Sequence, residues 1–209
     1  MRVVIVGKTR MGAGVCIGGL VEATGKAVRV IPERAPCHAA RTPFNIADIW
    51  DLDLRPRRPV VPPHVEDHEF RRKYKTGTVA DLKRWILSKV KPWDGGAAAL
   101  FGGTLQFRAT GAAFVPQAGP LPSGSTGFWR LPADMTCRVC DGTTGPRLYY
   151  ELETAPRLRV KYVGVLASTE LPPVLPAGTL VRLSLAHLWL SAPDADNRDK
   201  FFVQMSGWF

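Results

Sequence analysis

Long apolar runs are missing from this sequence of 209 residues. No stretch approaches the ~20 residues that cross a bilayer as a helix, which excludes that kind of membrane protein. Met1-Arg2 passes directly into a short β-branched run, without the apolar segment of a secretory leader, so a cytoplasmic location with no membrane partner is expected. Cysteine is scarce, at Cys16, Cys37, Cys137 and Cys140, and the spacing is not that of a disulfide-framed secreted domain. Acidic side chains are also few, 18 against 28 Lys and Arg, for a net charge of +10. Proline and glycine are plentiful, at 18 and 20 residues, which favours short strands joined by turns over a helical bundle. Hydrophobic residues at 45% and charged residues at 22% exclude a disordered chain and a coiled coil. The length allows one large domain or two small ones.

The charge is uneven. Residues 1–100 hold 18 Lys and Arg against 10 Asp and Glu, whereas residues 101–209 hold 10 against 8. Clustered cations attract polyanions and release counterions on binding, so the first half points to a nucleic-acid partner. The bland alternative is a basic surface that serves solubility.

Arg2–Val6 is β-branched and reads as a buried strand, followed by a polar loop, Gly7-Lys-Thr-Arg-Met-Gly12. Val15–Val21 and Lys26–Ile31 read as a hairpin about Glu22–Gly25, and Ile46–Leu54 as a further strand. Prolines make 55–63 extended. The one convincing helix runs from Val79 to Lys91, with Thr78 as N-cap and Leu82, Trp85, Ile86, Val90 and Trp93 on one stripe. Strand patterns return at 104–110, 148–152, 158–166, 179–190 and 201–209, with Gly/Pro/Ser-rich stretches such as 111–127 between some of them. About five strands, a helix and about five more strands fit an all-β fold of two OB-like β-barrels with one amphipathic helix. The first barrel would cover 1–95 with helix 79–91 and the second 96–209, with strands free to be shared across that boundary. A β-sandwich is the alternative that periodicity does not separate.

Gly7-Lys8-Thr9-Arg10 follows a strand but lacks the spacing of a nucleotide-hydrolysing phosphate loop. Lys8 and Arg10 project toward nucleic-acid phosphates or simply toward solvent; Arg29, Arg34 and Arg41 extend the candidate basic surface. Single-strand binders add aromatic platforms to a basic groove. Trp129, in a glycine-rich stretch beside Arg130, is such a platform or a core residue, and Arg130 makes a stacking-plus-phosphate pair physically sensible. Tyr149 and Tyr150 place one ring on each face of a strand, whereas Trp50, Trp85, Trp189 and Trp208 lie in apolar patterns expected in cores. Cys137-x-x-Cys140 has the spacing of a zinc knuckle, but a structural site needs four ligands; the second close pair, Cys37-His38 with Cys16 as a further candidate, is of adjacent residues that rarely ligate one ion together, so reduced thiols in a loop are the competing reading. His64-Val-Glu66-Asp67-His68 is the densest cluster of ligating groups. An extended chain spreads His64, Glu66 and His68 along one side over ~13 Å, too far to grip one ion without a sharp bend. Ion pairing of Glu66, Asp67 and Glu69 with Arg71, Arg72 and Lys73 is the simpler expectation.

Three blocks of the sequence resemble bacterial dual-OB-domain proteins. They are Ile5–Ile31, Ile46–Leu52 with Pro62–Asp67, and Pro176–Ala186 with Val203–Trp208. The resemblance spans nearly the whole chain and implies paired OB barrels and a place in prokaryotic defence or nucleic-acid handling. Cys137 and Cys140 are outside its pattern. The reading is a non-catalytic, cofactor-free component that binds single-stranded DNA or RNA, or structured RNA. A protein–protein adaptor in a larger assembly comes second, and a metal-dependent hydrolase using His64–His68 third.

Overall fold

The structure, a computed structural model, describes residues 1–141, 146–188 and 195–209. Trp189 and the end of the strand expected to reach Leu190 lie outside the described residues. The chain divides into two compact units, Met1–Lys91 with Phe209, and Pro92–Trp208. No helix among the described residues is long and apolar enough to cross a membrane.

The first unit is built from β1 (Arg2–Met11), β2 (Gly14–Val21), β3 (Ala27–Pro32), β4 (His38–Ala39), β5 (Asp48–Pro56), β6 (Asp67–Thr78) and the helix α1 (Leu82–Lys89). β1 pairs antiparallel with β2 along its length and with β5 over Arg2–Val4. β2 pairs antiparallel with β3, β3 runs parallel to β6, and β6 returns antiparallel to β5. The circle β1-β2-β3-β6-β5-β1 closes as a five-stranded barrel of OB type.

Two expectations are corrected here, and one strand has no counterpart among them. Gly7–Met11 is strand rather than loop, because β2 offers each of these residues a partner down to Met11 opposite Gly14; a bulge between Ile5 and Gly7 absorbs the bend. Residues 67–78, polar and without alternation, form the longest strand because β5 supplies a bonded neighbour up to Thr78 opposite Asp48. That pairing takes Thr78 away from the helix, which starts at Leu82 and is capped by Asp81, whose Oδ1 accepts from the Arg84 N–H at 2.9 Å. Ile86 is the buried helical residue, Trp85 is half-buried, and Gly25 in the β2–β3 turn sits against the last turn of the helix at Lys89.

Segment 33–45 is anchored by aromatic packing. Phe44 is fully buried with its ring centroid 4.6 Å from Trp50 and 5.8 Å from Phe70, and His38 stacks on Phe70 at 5.6 Å. His38 also bonds through Nε2 to the Val30 carbonyl at 2.8 Å, and the Lys8 ammonium donates to the Phe44 carbonyl at 3.0 Å.

The second unit contains a kinked 3₁₀ segment (Ala97–Gly103), then β7 (Gln106–Phe107), β8 (Ala113–Pro116), β9 (Thr126–Arg130), β10 (Met135–Cys140), β11 (Arg147–Leu152), β12 (Leu158–Tyr162), β13 (Val174–Leu175), β14 (Leu180–Leu185) and β15 (Lys200–Trp208). The sheet path β13-β10-β11-β12-β15-β14-β9 ends on β9. β9 and β10 are consecutive in the chain, so they are two halves of one interrupted first strand, bonded to β14 and β11 respectively. The β12–β15 pair is parallel, as β3–β6 is in the first unit, and the OB order is repeated. Trp129, Tyr150, Leu152, Val160, Leu183 and Met205 are among the fully buried core residues.

Burial holds His38 below its ordinary pKa of 6.5, against its bond to the Val30 carbonyl, and the Lys73 and Lys8 ammonium groups push it lower. The neutral ring therefore belongs to the folded state, and the unfolded chain takes up the proton first. Stability is full above pH ~6.5 and is lost as pH falls from there toward the lowered native value. Thermal denaturation between pH 7.5 and 5 should show this decline in the wild type and a flatter profile in His38→Gln.

Candidate nucleic-acid interface

Strand alternation sorts the side chains of β10, β11 and β12. Leu148, Tyr150, Leu152, Leu158, Val160 and Tyr162 point into or against the core, so Arg147, Tyr149, Glu151, Arg157, Arg159 and Lys161 stand on the outer face. Register then aligns them. Arg138 lies opposite Tyr149, which lies opposite Lys161, giving a cation–aromatic–cation row across three strands. Glu151 lies opposite Arg159 in the next row, and Cys140 opposite Arg147. Five of the second unit's ten Lys and Arg thus gather on one sheet face.

Glu151 organises this surface. Its carboxylate is nearly buried and accepts from Arg157 Nη2 at 3.0 Å, with Arg159 Nε at 3.1 Å and Arg138 Nε at 3.9 Å. Arg157 also reaches Glu153 at 3.3 Å. The Arg159 guanidinium lies 4.0 Å from the centroid of the Tyr149 ring and donates through Nη2 to Cys140 Sγ at 2.7 Å. Gly111, at φ +82°, lets a neighbouring turn lie against Arg157 and Arg159, where a Cβ would come within 3.2 Å of Arg157 Cγ. Burial by neighbouring side chains, reinforced by nearby Arg147, pulls the Lys161 ammonium below its ordinary 10.5. The face therefore carries excess positive charge on a strand frame, with one half-exposed aromatic ring at its centre.

The residues expected from sequence fall differently. Trp129 is fully buried and donates from Nε1 to the Gly95 carbonyl at 2.9 Å, so it is no stacking platform. The stretch is strand β9, not loop, and alternation turns Trp129 inward and Arg130 outward, 3.5 Å from Asp94. The Trp129–Arg130 pairing is thereby corrected. The Arg29 guanidinium is paired bidentately with Asp67 on the adjacent strand, Nε to Oδ1 at 2.6 Å. Lys8 is engaged with the Phe44 carbonyl. Arg10, Arg34 and Arg41 are exposed. The pairing of β4 with β2 brings segment 33–45, which carries Arg34 and Arg41, beside the β1–β2 hairpin that carries Lys8 and Arg10.

The ligating clusters come apart. Asp67 belongs to Arg29, Glu69 lies 3.7 Å from Arg57, and Arg71 pairs with Glu33 at 3.3 Å, so Asp67 and Glu69 pair with residues other than the expected Arg71, Arg72 and Lys73. His64 and Glu66 are buried, and His68 Nδ1 donates to the Glu66 carbonyl at 2.8 Å. Cys137 and Cys140 lie on β10 rather than in a knuckle, and three residues along a strand they face opposite sides, so they do not chelate one ion. No group of three or more His, Cys, Asp or Glu placed to hold a metal occurs among the described residues.

Two OB-type barrels in one chain have a counterpart among known families: the family of the dual OB-containing domain matches residues 1–208. The chain belongs to that family. No curated protein matches it in sequence. Among solved structures, a murine DNA binding protein bound with double-stranded DNA aligns over 100% of this chain and 95% of its own, at 9% identity and a TM-score of 0.33. The HINb domain of p204 aligns over 98% and 95%, at 14% identity and a TM-score of 0.38. Both likenesses are distant.

Sequence reasoning missed Arg138, Tyr149, Arg159 and Lys161 as a group. The signal was present in Arg157-Leu-Arg-Val-Lys161, where cations alternate with core residues at period two. Trp129→Ala in this dual OB chain should cost roughly 3–5 kcal/mol of stability. Tyr149→Ala should cost at most about 1 kcal/mol, the worth of an exposed cation–π contact. Chemical denaturation of the two variants separates the core ring from the surface ring.

Proposed function

We propose that this chain binds single-stranded nucleic acid, without catalysing its turnover, on the outer β10–β11–β12 face. The observation that carries the reading is the Arg138–Tyr149–Lys161 row with Arg157 and Arg159 beside it. Cations at strand spacing meet successive phosphates of an extended strand, and an aromatic ring among them offers a stacking surface to an unpaired base. Bases inside a duplex are already stacked and give Tyr149 nothing to take up. This face lies on the strands that OB folds use for oligonucleotides. The first unit adds long-range attraction, with 18 Lys and Arg against 9 Asp and Glu in residues 1–91.

The test is titration of a labelled oligonucleotide at several salt concentrations. Each phosphate neutralised on a single strand contributes about −0.7 to the slope of log affinity against log salt, so Arg138→Ala with Lys161→Ala should flatten that slope by about 1.4. Tyr149→Ala should weaken binding by ~1–3 kcal/mol and leave the slope unchanged. A duplex of the same sequence should be insensitive to Tyr149→Ala. Unaltered single-strand affinity in all these variants would remove the β10–β11–β12 face from the reading, and strand cleavage on adding Mg²⁺, Mn²⁺ or Zn²⁺ would end the non-catalytic part of it.

A further inference from the structure

Of the two cysteines of the first unit, Cys16 lies on β2 and Cys37 immediately precedes β4. β2 and β4 pair antiparallel with Gly14 opposite Ala39 and Val15 opposite His38, and that register carried one step past the end of β4 would set Cys37 opposite Cys16; the two thiols are close enough to interact electrostatically. Directly opposed residues on antiparallel strands have Cα atoms ~4.5–5.5 Å apart. A disulfide needs ~4.4–6.8 Å between Cα atoms. Alternation puts both side chains on the same side of the ribbon, the side away from buried Val15 and His38. The absent side chain of Gly14 makes room there: a Cβ on Gly14 would lie 2.7 Å from Cys37 Sγ. Both cysteines are half-buried, and the Cys16 thiol donates to Met11 Sδ at 2.9 Å.

We propose that Cys16 and Cys37 are a dithiol site that closes to a reversible cross-strand disulfide, clamping segment 33–45 onto β2. The oxidant is a low-molecular-weight disulfide. One cysteine thiolate attacks it, forming a mixed disulfide and expelling one small thiolate; the second cysteine then attacks the protein-bound sulfur and expels the other. Two protein thiols are oxidised, one small disulfide is reduced to two thiols, and the two protons leave with the released thiols. Burial raises the Cys16 thiol above its ordinary 9.0, against the pull of the Arg29 guanidinium, so closure speeds up as pH rises toward that value. Cys137 and Cys140, on opposite faces of β10, are internal controls.

The experiment treats the full chain with oxidised glutathione at pH 8, quenches with acid, and reads intact mass and a non-reducing peptide map. The expected product has lost two hydrogen atoms, joins the Cys16 and Cys37 peptides, melts at higher temperature than the reduced chain, and reverts with dithiothreitol. Cys16→Ser and Cys37→Ser should each stop at a single glutathione adduct on the remaining partner. The double variant Cys137→Ser with Cys140→Ser should close like the wild type. Stable glutathione adducts on Cys16 or Cys37 without the cross-link, a bridge to Cys137 or Cys140, or no reaction at these two residues would each overturn the proposal.

Discussion

Both units depend on a first strand that is hydrogen-bonded along two edges. In the first unit β1 serves β2 and β5 together, and the bulge between Ile5 and Gly7 turns it from one neighbour to the other. In the second unit the same demand is met by breaking the strand, with β9 given to β14 and β10 to β11. In the first unit closure removes the free edges that an open sheet of this size would expose. It also divides every side chain between an inside that excludes water and an outside that faces it.

That division accounts for the chemistry. Once Tyr150 and Val160 are committed to the core, Tyr149, Arg159 and Lys161 have no choice but the outer face. Cations crowded on one face repel one another, and the nearly buried carboxylate of Glu151 offsets part of that repulsion by drawing in Arg157 and Arg159. Burying a carboxylate is unfavourable unless it is paired, and here the pairing also orients the guanidiniums. The side chains at Arg138 and Lys161, at the two ends of the Tyr149 row, carry charge that phosphates can neutralise.

The first unit uses its cations differently. Arg29, Arg71 and Lys75 are paired with Asp67, Glu33 and Asp48, and Lys8 and Lys73 hold the 33–45 segment through the Phe44 carbonyl and the Phe44 and Phe70 rings. A large positive excess remains, 18 Lys and Arg against 9 Asp and Glu in residues 1–91. Net charge and an ordered row of cations are therefore separable properties.

The β-branched run Arg2–Val6, the period-two runs at Lys26–Ile31 and Leu158–Tyr162, the turn glycines and the balance of proline determined an all-β chain, because hydrophobic patterning and turn chemistry are local properties. The charge surplus of residues 1–100 was equally legible, being a count. Tertiary structure decided what depends on a distant partner. β6 is a strand because β5 lies beside it, not because Arg71–Lys75 prefers one. Trp129 is core because its stretch pairs with β14 and its indole N–H meets the Gly95 carbonyl. Asp67 answers to Arg29, 38 residues away, in place of the arginines next to it. The Arg138–Tyr149–Lys161 row exists only in the register of three strands, and register is set by the pairing of β10, β11 and β12, which no single segment contains.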